Sequence, residues 1–571
     1  MSKHVSEIIV DALIEAGAQR CYGVVGDTIN HFTDAIRRSD LRWVHVRHEE
    51  AGALAAGGEA YMTGRLAVCA GTCGPGSLHF VNGIFESHRN GAPVLLIASD
   101  VASTEAGLDF PQEVDQRRIY EQASVFCEYM SHPSQARRLT ALAAQTALSL
   151  RGVAVLIVRG DMFSQTDEDT LLWAAHPRIV RALPAPEELQ QLADTLNTAS
   201  SITLYAGYGA RNARQQVLKL AQRLNAPVVH TSRAKEFIEP DNPYGVGMTG
   251  ILGNQAGLEA IDRADLTLCL GTDFAWTQFY PQQPHVIQID SDPAHLGRRA
   301  PIQMGLVGDI GLTVEALLPL LQPGKQNDHL EAARQQWLED QSAYQKSGEE
   351  KDPSLLHPQF VTQTLDRLAS EDAVFTADGG SPMVWLLRHL VARGKRRFLT
   401  SLLHGTMANA YPQAMGIAAA YPHRQVVALC GDGGLTMLMG DLLTLRQENL
   451  SVKLLVYNNA SLGFVEMEQR VEGLLDSYTH LLNPDFVKLA EACGFPAWQV
   501  TRKEQLEPAM QQWLDTDGPA LLDVHVSRME LVMPPKVQAS QIASTALFGL
   551  KAVFSGRATE VVSLLRDNFL R

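Results

Sequence analysis

The sequence predicts an α/β protein of three doubly wound parallel-sheet domains followed by an amphipathic C-terminal tail. Three observations carry this. Short apolar runs rich in Val, Ile and Leu alternate with helix-length segments along most of the 571 residues, the pattern of repeated βαβ units. Two breaks, one proline-rich and one polar, divide the alternation into three stretches, in keeping with a length that calls for about three or four domains. In the third stretch an apolar strand runs into a glycine turn, a helix-length segment and a second strand. In a parallel sheet this order brings the turn and the end of the second strand to one edge.

The elements follow in order. In residues 1–181, strands are expected at Cys21–Val25, Trp43–Val46, Leu66–Ala70, Val94–Ala98 and Val153–Val158, with helices between them, among them the alanine-rich Ala51–Met62. Ala182–Glu188, ALPAPEE, reads as a linker whose acidic end opens a helix. In 182–335, strands are expected at Ile202–Tyr205, Pro227–His230, Leu266–Leu270 and His285–Ile289. The polar stretch from Gln322 to Pro353 holds one charged helix and a second linker. The third unit, 336–530, is regular from His357 to about Val526, and the tail, 531–571, begins near Met533-Pro534-Pro535.

Composition narrows the class. Hydrophobic content of 46% and charged content of 19% fit a globular protein. A formal net charge of −15 argues against nucleic acid as the main partner. Residues 1–20 lack a basic start followed by an apolar run, so no signal peptide is expected. No apolar run reaches the roughly 18 residues of a membrane span. The seven cysteines are scattered, and no second pair or histidine cluster accompanies Cys69 and Cys73. Free thiols in a reducing cytoplasm are expected, not zinc ligands or disulfides.

Chemistry concentrates in GDGGLTMLMGDLLTLRQENLSVKLLVYNN, residues 431–459. Asp432 and Asn459, brought to one sheet edge, can both offer oxygens to one hard cation. Gly431-Asp432-Gly433-Gly434 lets a diphosphate approach the backbone at a helix N-terminus. A glycine turn after a strand is common by itself. The paired Asn458-Asn459 at this distance makes it the magnesium–diphosphate motif of enzymes that use thiamine diphosphate. In the first unit, strand Trp43–Val46 ends in Arg47-His48-Glu49-Glu50. An acid at a helix start is ordinarily there for the helix dipole. Beside thiamine diphosphate it has a further use, because N1′ of the aminopyrimidine needs a desolvated carboxylate with which to share a proton. Glu49 is the candidate and Glu50 the alternative. Asp27 and His88 could face the same cleft, and His79 could equally be structural. In His404-Gly405-Thr406-Met407-Ala408-Asn409-Ala410, Met407 could be the apolar wedge between the cofactor's two rings, although methionine is usually core. The middle unit has only half of a dinucleotide fingerprint, Gly207-Tyr208-Gly209; spacing alone makes it a nucleotide-binding or structural domain.

Together, Arg47-His48-Glu49-Glu50, GTCGPGSLHFVNGIFESHRNGAPVLLIA (71–98), the GDGG and NN pair, and NNASLGFVEME (458–468) resemble the pyruvate oxidase and acetolactate synthase group. HTSRAKEFIEPDNPYGVGMTGILG (230–253), CGDGGLTMLMGD (430–441) and the tail extend the likeness over essentially the whole chain, toward the membrane-associated, quinone-reducing branch of pyruvate oxidases. The resemblance implies a thiamine-pyrimidine domain at 1–181, an FAD-binding domain at 182–335, a thiamine diphosphate and magnesium domain at 336–530 and a membrane-binding tail at 531–571. It implies a homotetramer with active sites at subunit interfaces. By matching positions, thiamine diphosphate would meet Glu49, then Gly405, Thr406 and Met407, then Asp432, Gly433 and Gly434. It would also meet the run Asn459, Ala460, Ser461, Leu462, Gly463, Phe464 and Val465. Mg2+ would be held by Asp432, Asn459 and Ser461. FAD would be lined by Gly250, Ile251, Leu252 and Gly253, by Asp273, Phe274, Ala275, Trp276 and Thr277, and by Ser291 near its ribose. Glu49 and Phe464 would be catalytic, Phe464 matching an aromatic position associated with electron transfer.

Two departures stand out. Relatives often carry phenylalanine before Gln112-Glu113, where this chain has Pro111; close relatives carry valine after Asp378, where it has Gly379. Both remove bulk, so the active site could be wider, or differently shaped, than one built only for pyruvate, which leaves the exact 2-oxo acid open. In the tail, Val561, Val562, Leu565 and Phe569 form a helical stripe, and Arg557, Arg566 and Arg571 add positive charge. This suits a docked helix or, by the resemblance, one released onto membrane lipid. The expected activity is oxidative decarboxylation of pyruvate to acetate and CO2, with electrons passing through FAD to ubiquinone. The expected location is cytoplasmic, peripheral on the inner face of the cell membrane. The alternatives are an acetolactate-synthase-like carboligase with non-redox FAD and an oxidase for another 2-oxo acid. Intact Glu49, Asp432 and Asn459 argue against a non-catalytic paralogue.

Overall fold

The computed structural model describes residues 2–281, 285–325, 328–347, 356–528 and 530; the tail expected at 531–571 lies outside them. Each unit is built on a six-stranded sheet in which every neighbouring pair is parallel. The first sheet comprises, in chain order, Arg20–Gly23, Arg42–His45, Ala67–Gly71, Val94–Asp100, Phe126–Met130 and Val153–Arg159. Across the sheet these lie second, first, third, fourth, sixth, fifth. The third sheet, Val374–Ala377, Arg397–Thr400, Val426–Gly431, Val452–Asn458, Ala497–Val500 and Ala520–His525, repeats that order. The middle sheet runs third, second, first, fourth, fifth, sixth, from Ile202–Ala206, Val228–His230, Gly245–Met248, Leu266–Leu270, Val286–Asp290 and Met304–Val307.

The expected strands are present with ends shifted by a residue or two. Phe126–Met130, Gly245–Met248 and Met304–Val307 were not expected from the sequence. All three are sheet edges, half-exposed or glycine-interrupted, and so lack the continuous apolar run of a buried parallel strand. The helix-length segment after GDGG is not one helix but two, Asp432–Met437 and Leu442–Gln447, separated by a tight turn at Met439–Asp441.

The first and third units share one apolar core. Its centre is the contact between helices Glu49–Thr63 and Ala410–Ala420, whose small residues permit close approach. A Cβ on Gly58 would stand 2.4 Å from the Gln413 carbonyl oxygen, and one on Gly416 would stand 1.8 Å from that of Ala55. The middle unit docks on the third through Met248 and Leu252, which join the core of Trp385, Leu386 and Leu387. All seven cysteines are free. Among the described residues no helix is long and apolar enough to cross a membrane.

Candidate active site

Strand Val426–Gly431 pairs with Val452–Asn458 so that Gly431 lies opposite Tyr457, and the two chain ends beyond them meet. Asp432 Oδ2 accepts from the Ala460 amide at 2.7 Å, and Asp432 Oδ1 from the Gly433 amide at 2.8 Å. Asn483, which sequence reading missed, donates Nδ2 to Asp432 Oδ2 at 2.8 Å and to Asn458 Oδ1 at 2.9 Å. Asp432 is 2% exposed, and burial pushes its carboxyl above the usual range. Asn459 Oδ1 accepts from the Ser461 amide at 3.0 Å. The Ser461 hydroxyl donates to Glu466, which leaves its main-chain carbonyl as the group that could reach a cation. Among the described residues no group of three His, Cys, Asp or Glu is gathered. A cation here would draw on a carboxylate, an amide and a carbonyl oxygen plus the anion it binds, a hard-cation donor set. These residues fit Mg2+ and a diphosphate.

Close packing explains the glycines. A Cβ on Gly433 would lie 3.0 Å from Leu462, 3.2 Å from Leu481 and 3.3 Å from Met407 Cε; one on Gly434 would lie 2.2 Å from Asp378 Oδ2. Met407 therefore reaches the glycine turn. It sits in a bend with Gly405 at φ +78° and Ala408 at φ +62°; Ala460 is also left-handed, at φ +52°. Non-glycine residues in this region are uncommon and cluster at ligand sites. Leu462 and Gly463 complete this wall, a Gly463 Cβ falling 2.7 Å from Asn459 Nδ2, and Phe464 and Val465 continue into helix Gly463–Val471.

Gly379 does not open the site. A Cβ there would stand 2.4 Å from the Thr406 carbonyl oxygen, and the Gly379 amide donates to that same oxygen at 3.2 Å. The missing side chain is occupied by the 405–406 backbone, which corrects the expectation of a wider pocket at this position. Pro111 is exposed, and next to it Gln112 adopts φ +73° over Gly74.

In the first unit Glu49 begins helix Glu49–Thr63 and is 7% exposed. It is hydrogen-bonded to His79 Nδ1 at 2.8 Å, and the His79 ring stacks on His48 with centroids 4.6 Å apart. His48 caps the helix by accepting from the Glu50 amide. Glu50, half-buried, accepts from Asn82 Nδ2 at 2.6 Å, and Asn82 also donates to Thr406 Oγ1 at 2.9 Å. Glu49 is thus the more enclosed acid and bonds within its own unit, while Glu50 faces the Met407 bend. Asp441, a second residue sequence reading missed, accepts from the Arg47 and His48 amides at 2.7 and 3.0 Å and ties the two units together. Asp27 is exposed and accepts from Thr72. His88 packs by Gly152 at the opposite sheet edge, away from the cleft that it could have faced; helix Val81–Asn90 carries it there.

In the middle unit the strand order reverses between Ile202–Ala206 and Leu266–Leu270, where α/β sheets open a ligand crevice. Two turns meet there: the Gly207 amide donates to Leu270 and the Gly209 amide to Gly271, both at 3.0 Å. Gly250, at φ +104°, leaves room for the Phe274 ring, 2.4 Å from where its Cβ would be. Turn 250–253 thereby meets segment 273–277. The Thr249 hydroxyl is buried without a hydrogen-bond partner. Asp273 is partly buried, yet Arg298 and Arg299 hold its carboxyl below the usual range. Trp276 and Ser291 are exposed. Converging glycine turns at a switch point, and beside them a turn with an unpartnered hydroxyl that meets segment 273–277, fit a dinucleotide such as FAD. The glycines lie on separate loops, so no single local motif marks the crevice.

Three domain families match: the thiamine pyrophosphate enzyme N-terminal TPP binding domain over residues 3–119, the central domain over 189–317 and the C-terminal TPP binding domain over 378–524. The chain is 34% identical over 568 residues to YdaP of Bacillus subtilis (strain 168), whose name describes it as thiamine pyrophosphate-containing, covering 99% of each chain. It is 30% identical to the acetolactate synthase isozyme 2 large subunit of Escherichia coli (strain K12), covering 92% of this chain and 96% of that one. It is 28% identical to a pyruvate oxidase of Lactiplantibacillus plantarum, covering 94% and 91%. With its three parallel-sheet domains and these full-length relatives, the chain belongs to the thiamine pyrophosphate enzyme family, in the company of pyruvate oxidases and acetolactate synthases.

Proposed function

We propose that this enzyme oxidatively decarboxylates pyruvate to acetate and CO2 and passes the electrons through FAD to a membrane quinone, as a homotetramer whose tail binds lipid. One observation carries the oxidative reading. Helix Ser381–His389 begins against Gly463-Phe464 and ends, at Arg388, on the carbonyls of Ile251 and Leu252, so that one short helix joins the candidate thiamine and flavin sites. When bound, thiamine diphosphate supplies the nucleophilic carbon and electron sink for decarboxylation, and FAD accepts two electrons. The chain's residues do the rest. Asp432, Asn459 and the Ser461 carbonyl would hold Mg2+ and orient the diphosphate. Met407, which reaches the glycine turn, would supply an apolar wall against the cofactor. Glu49, sheltered from water, would hold a proton for the aminopyrimidine, with a second subunit bringing it to the Asp432 edge. Phe464, in helix Gly463–Val471, would serve electron transfer.

Anaerobic mixing with pyruvate tests this: the flavin should bleach and acetate should form. A carboligase reading has its own support in the likeness to acetolactate synthase, which extends over 96% of that chain. It predicts acetolactate with the flavin left oxidised.

A further inference from the structure

Turn 250–253 is built from residues that do not hold a shape by themselves. Gly250 is at φ +104°, and Gly247 just before it is at φ +83°. The turn is closed from within by one main-chain bond, from the Gly253 amide to the Gly250 carbonyl at 2.9 Å. Among the described residues, the other bonds to it come from side chains outside the middle sheet. Arg388 Nε donates to the Leu252 carbonyl at 3.2 Å, and Arg388 Nη2 to the Ile251 carbonyl at 3.4 Å. Tyr344, on helix His329–Ser347, donates its hydroxyl to the Gly253 carbonyl at 3.3 Å. The guanidinium lies 6.0 Å from the Tyr344 ring centroid, and both side chains are half-buried; burial lowers the Arg388 pKa and raises that of Tyr344.

We propose that Arg388 and Tyr344 form a clamp that positions the flavin turn, by gripping three successive carbonyls from outside the middle sheet. The inference rests on the flavin reading above and names residues that it does not include. In a trans peptide the N–H points opposite to the carbonyl of the preceding residue. Gripping the Ile251 oxygen therefore fixes the direction of the Leu252 N–H, and gripping the Leu252 oxygen fixes that of the Gly253 N–H. The planar fork of arginine suits two adjacent carbonyls; the single ammonium of lysine reaches one at a time. Neither side chain needs to touch the cofactor, so both are positioning residues.

The test titrates FAD into the full-length protein with thiamine diphosphate and Mg2+ present and follows flavin fluorescence. Arg388→Met should weaken FAD binding roughly tenfold or more, the loss expected when two hydrogen bonds from a charged donor disappear. Tyr344→Phe should weaken it a few-fold, and Arg388→Lys should fall between wild type and Arg388→Met. Thiamine diphosphate affinity, measured by calorimetry, should stay within about twofold of wild type in each, because Asp432 and Asn459 are untouched. If Arg388→Met does not fold, Arg388→Lys and Tyr344→Phe decide the matter. FAD affinity at the wild-type level in the folded variants overturns the clamp and leaves the flavin reading standing. A wild-type protein that does not bind FAD overturns both.

Discussion

Glu49 is nearly enclosed and bonded to His79, so a carboxamide there preserves volume while removing the ability to share a proton. Glu49→Gln should leave folding and FAD content intact and slow hydrogen exchange at C2 of bound thiamine diphosphate by about 10²–10⁴. Exchange at the wild-type rate would assign the proton to another group. Gly379→Val makes a different demand, because its Cβ would enter the space of the Thr406 carbonyl. The expected result is weaker thiamine diphosphate binding through displacement of the Met407 bend, with the pyruvate to 2-oxobutanoate efficiency ratio unmoved. A changed ratio at unchanged cofactor affinity would return Gly379 to the substrate pocket. Asp432, Asn459 and Glu49 could be picked out in the sequence because each belongs to a short run whose chemistry is contiguous. Asp441, Asn483, Arg388 and Tyr344 could not, because their partners are remote: Asp441 bonds amides 394 and 393 residues away. Gly379 misled the sequence reading, since a missing side chain looks like space until the backbone filling it is known.

At the scale of elements, the end of strand Val374–Ala377 is stapled to two neighbours by the residue that follows it. Asp378 Oδ1 accepts from the Ala410 amide at 2.9 Å, at the start of helix Ala410–Ala420, and Oδ2 from the Gly431 amide at 3.1 Å, at the glycine turn. Burial pushes its carboxyl from 3.8 up to about 7. Between these values the native state binds more protons than the unfolded chain, so Asp378's contribution to stability falls as pH rises from about 4 to about 7 and is level above that. Asp378→Asn removes the titration. The unfolding free energy of wild type minus variant should therefore drop over that window, on the order of a few kcal/mol, in denaturant melts at a series of pH values. A constant difference would mean that the carboxyl titrates near its ordinary value. Central strands such as Val153–Arg159 were plain in the sequence because burial on both faces makes them unbroken apolar runs. Edge strands were less so: Arg42–His45 was expected, but Phe126–Met130, Gly245–Met248 and Met304–Val307 were not, and the helix break at Met439–Asp441 follows from a tertiary demand, Asp441 turning to meet the first unit, that no local propensity encodes.

For the whole molecule, the tail is where chemistry and location would part. On the proposed function, deleting residues after Thr545 should spare dye reduction by pyruvate and lower quinone reduction in lipid vesicles, because it removes the apolar stripe of the sequence, Val561, Val562, Leu565 and Phe569, and an interfacial segment gains affinity by burying apolar side chains. Vesicle sedimentation with and without pyruvate reads this directly, and equal lipid binding by full-length and shortened protein would favour the soluble carboligase. The repeated strand order of the first and third sheets has a consequence of its own. Helices Glu49–Thr63 and Ala410–Ala420 hold the same place in their sheets, each between the second and third strands in sequence, and it is these two that pack together. Gly58 of one abuts Gln413 of the other, as Gly416 abuts Ala55. This is the reciprocity of an isologous contact, in which like surface meets like about a twofold axis. A single chain thus reads as a tethered dimer, one twin specialised toward a proton-sharing acid and the other toward a cation and its anion, with the middle unit spliced between them.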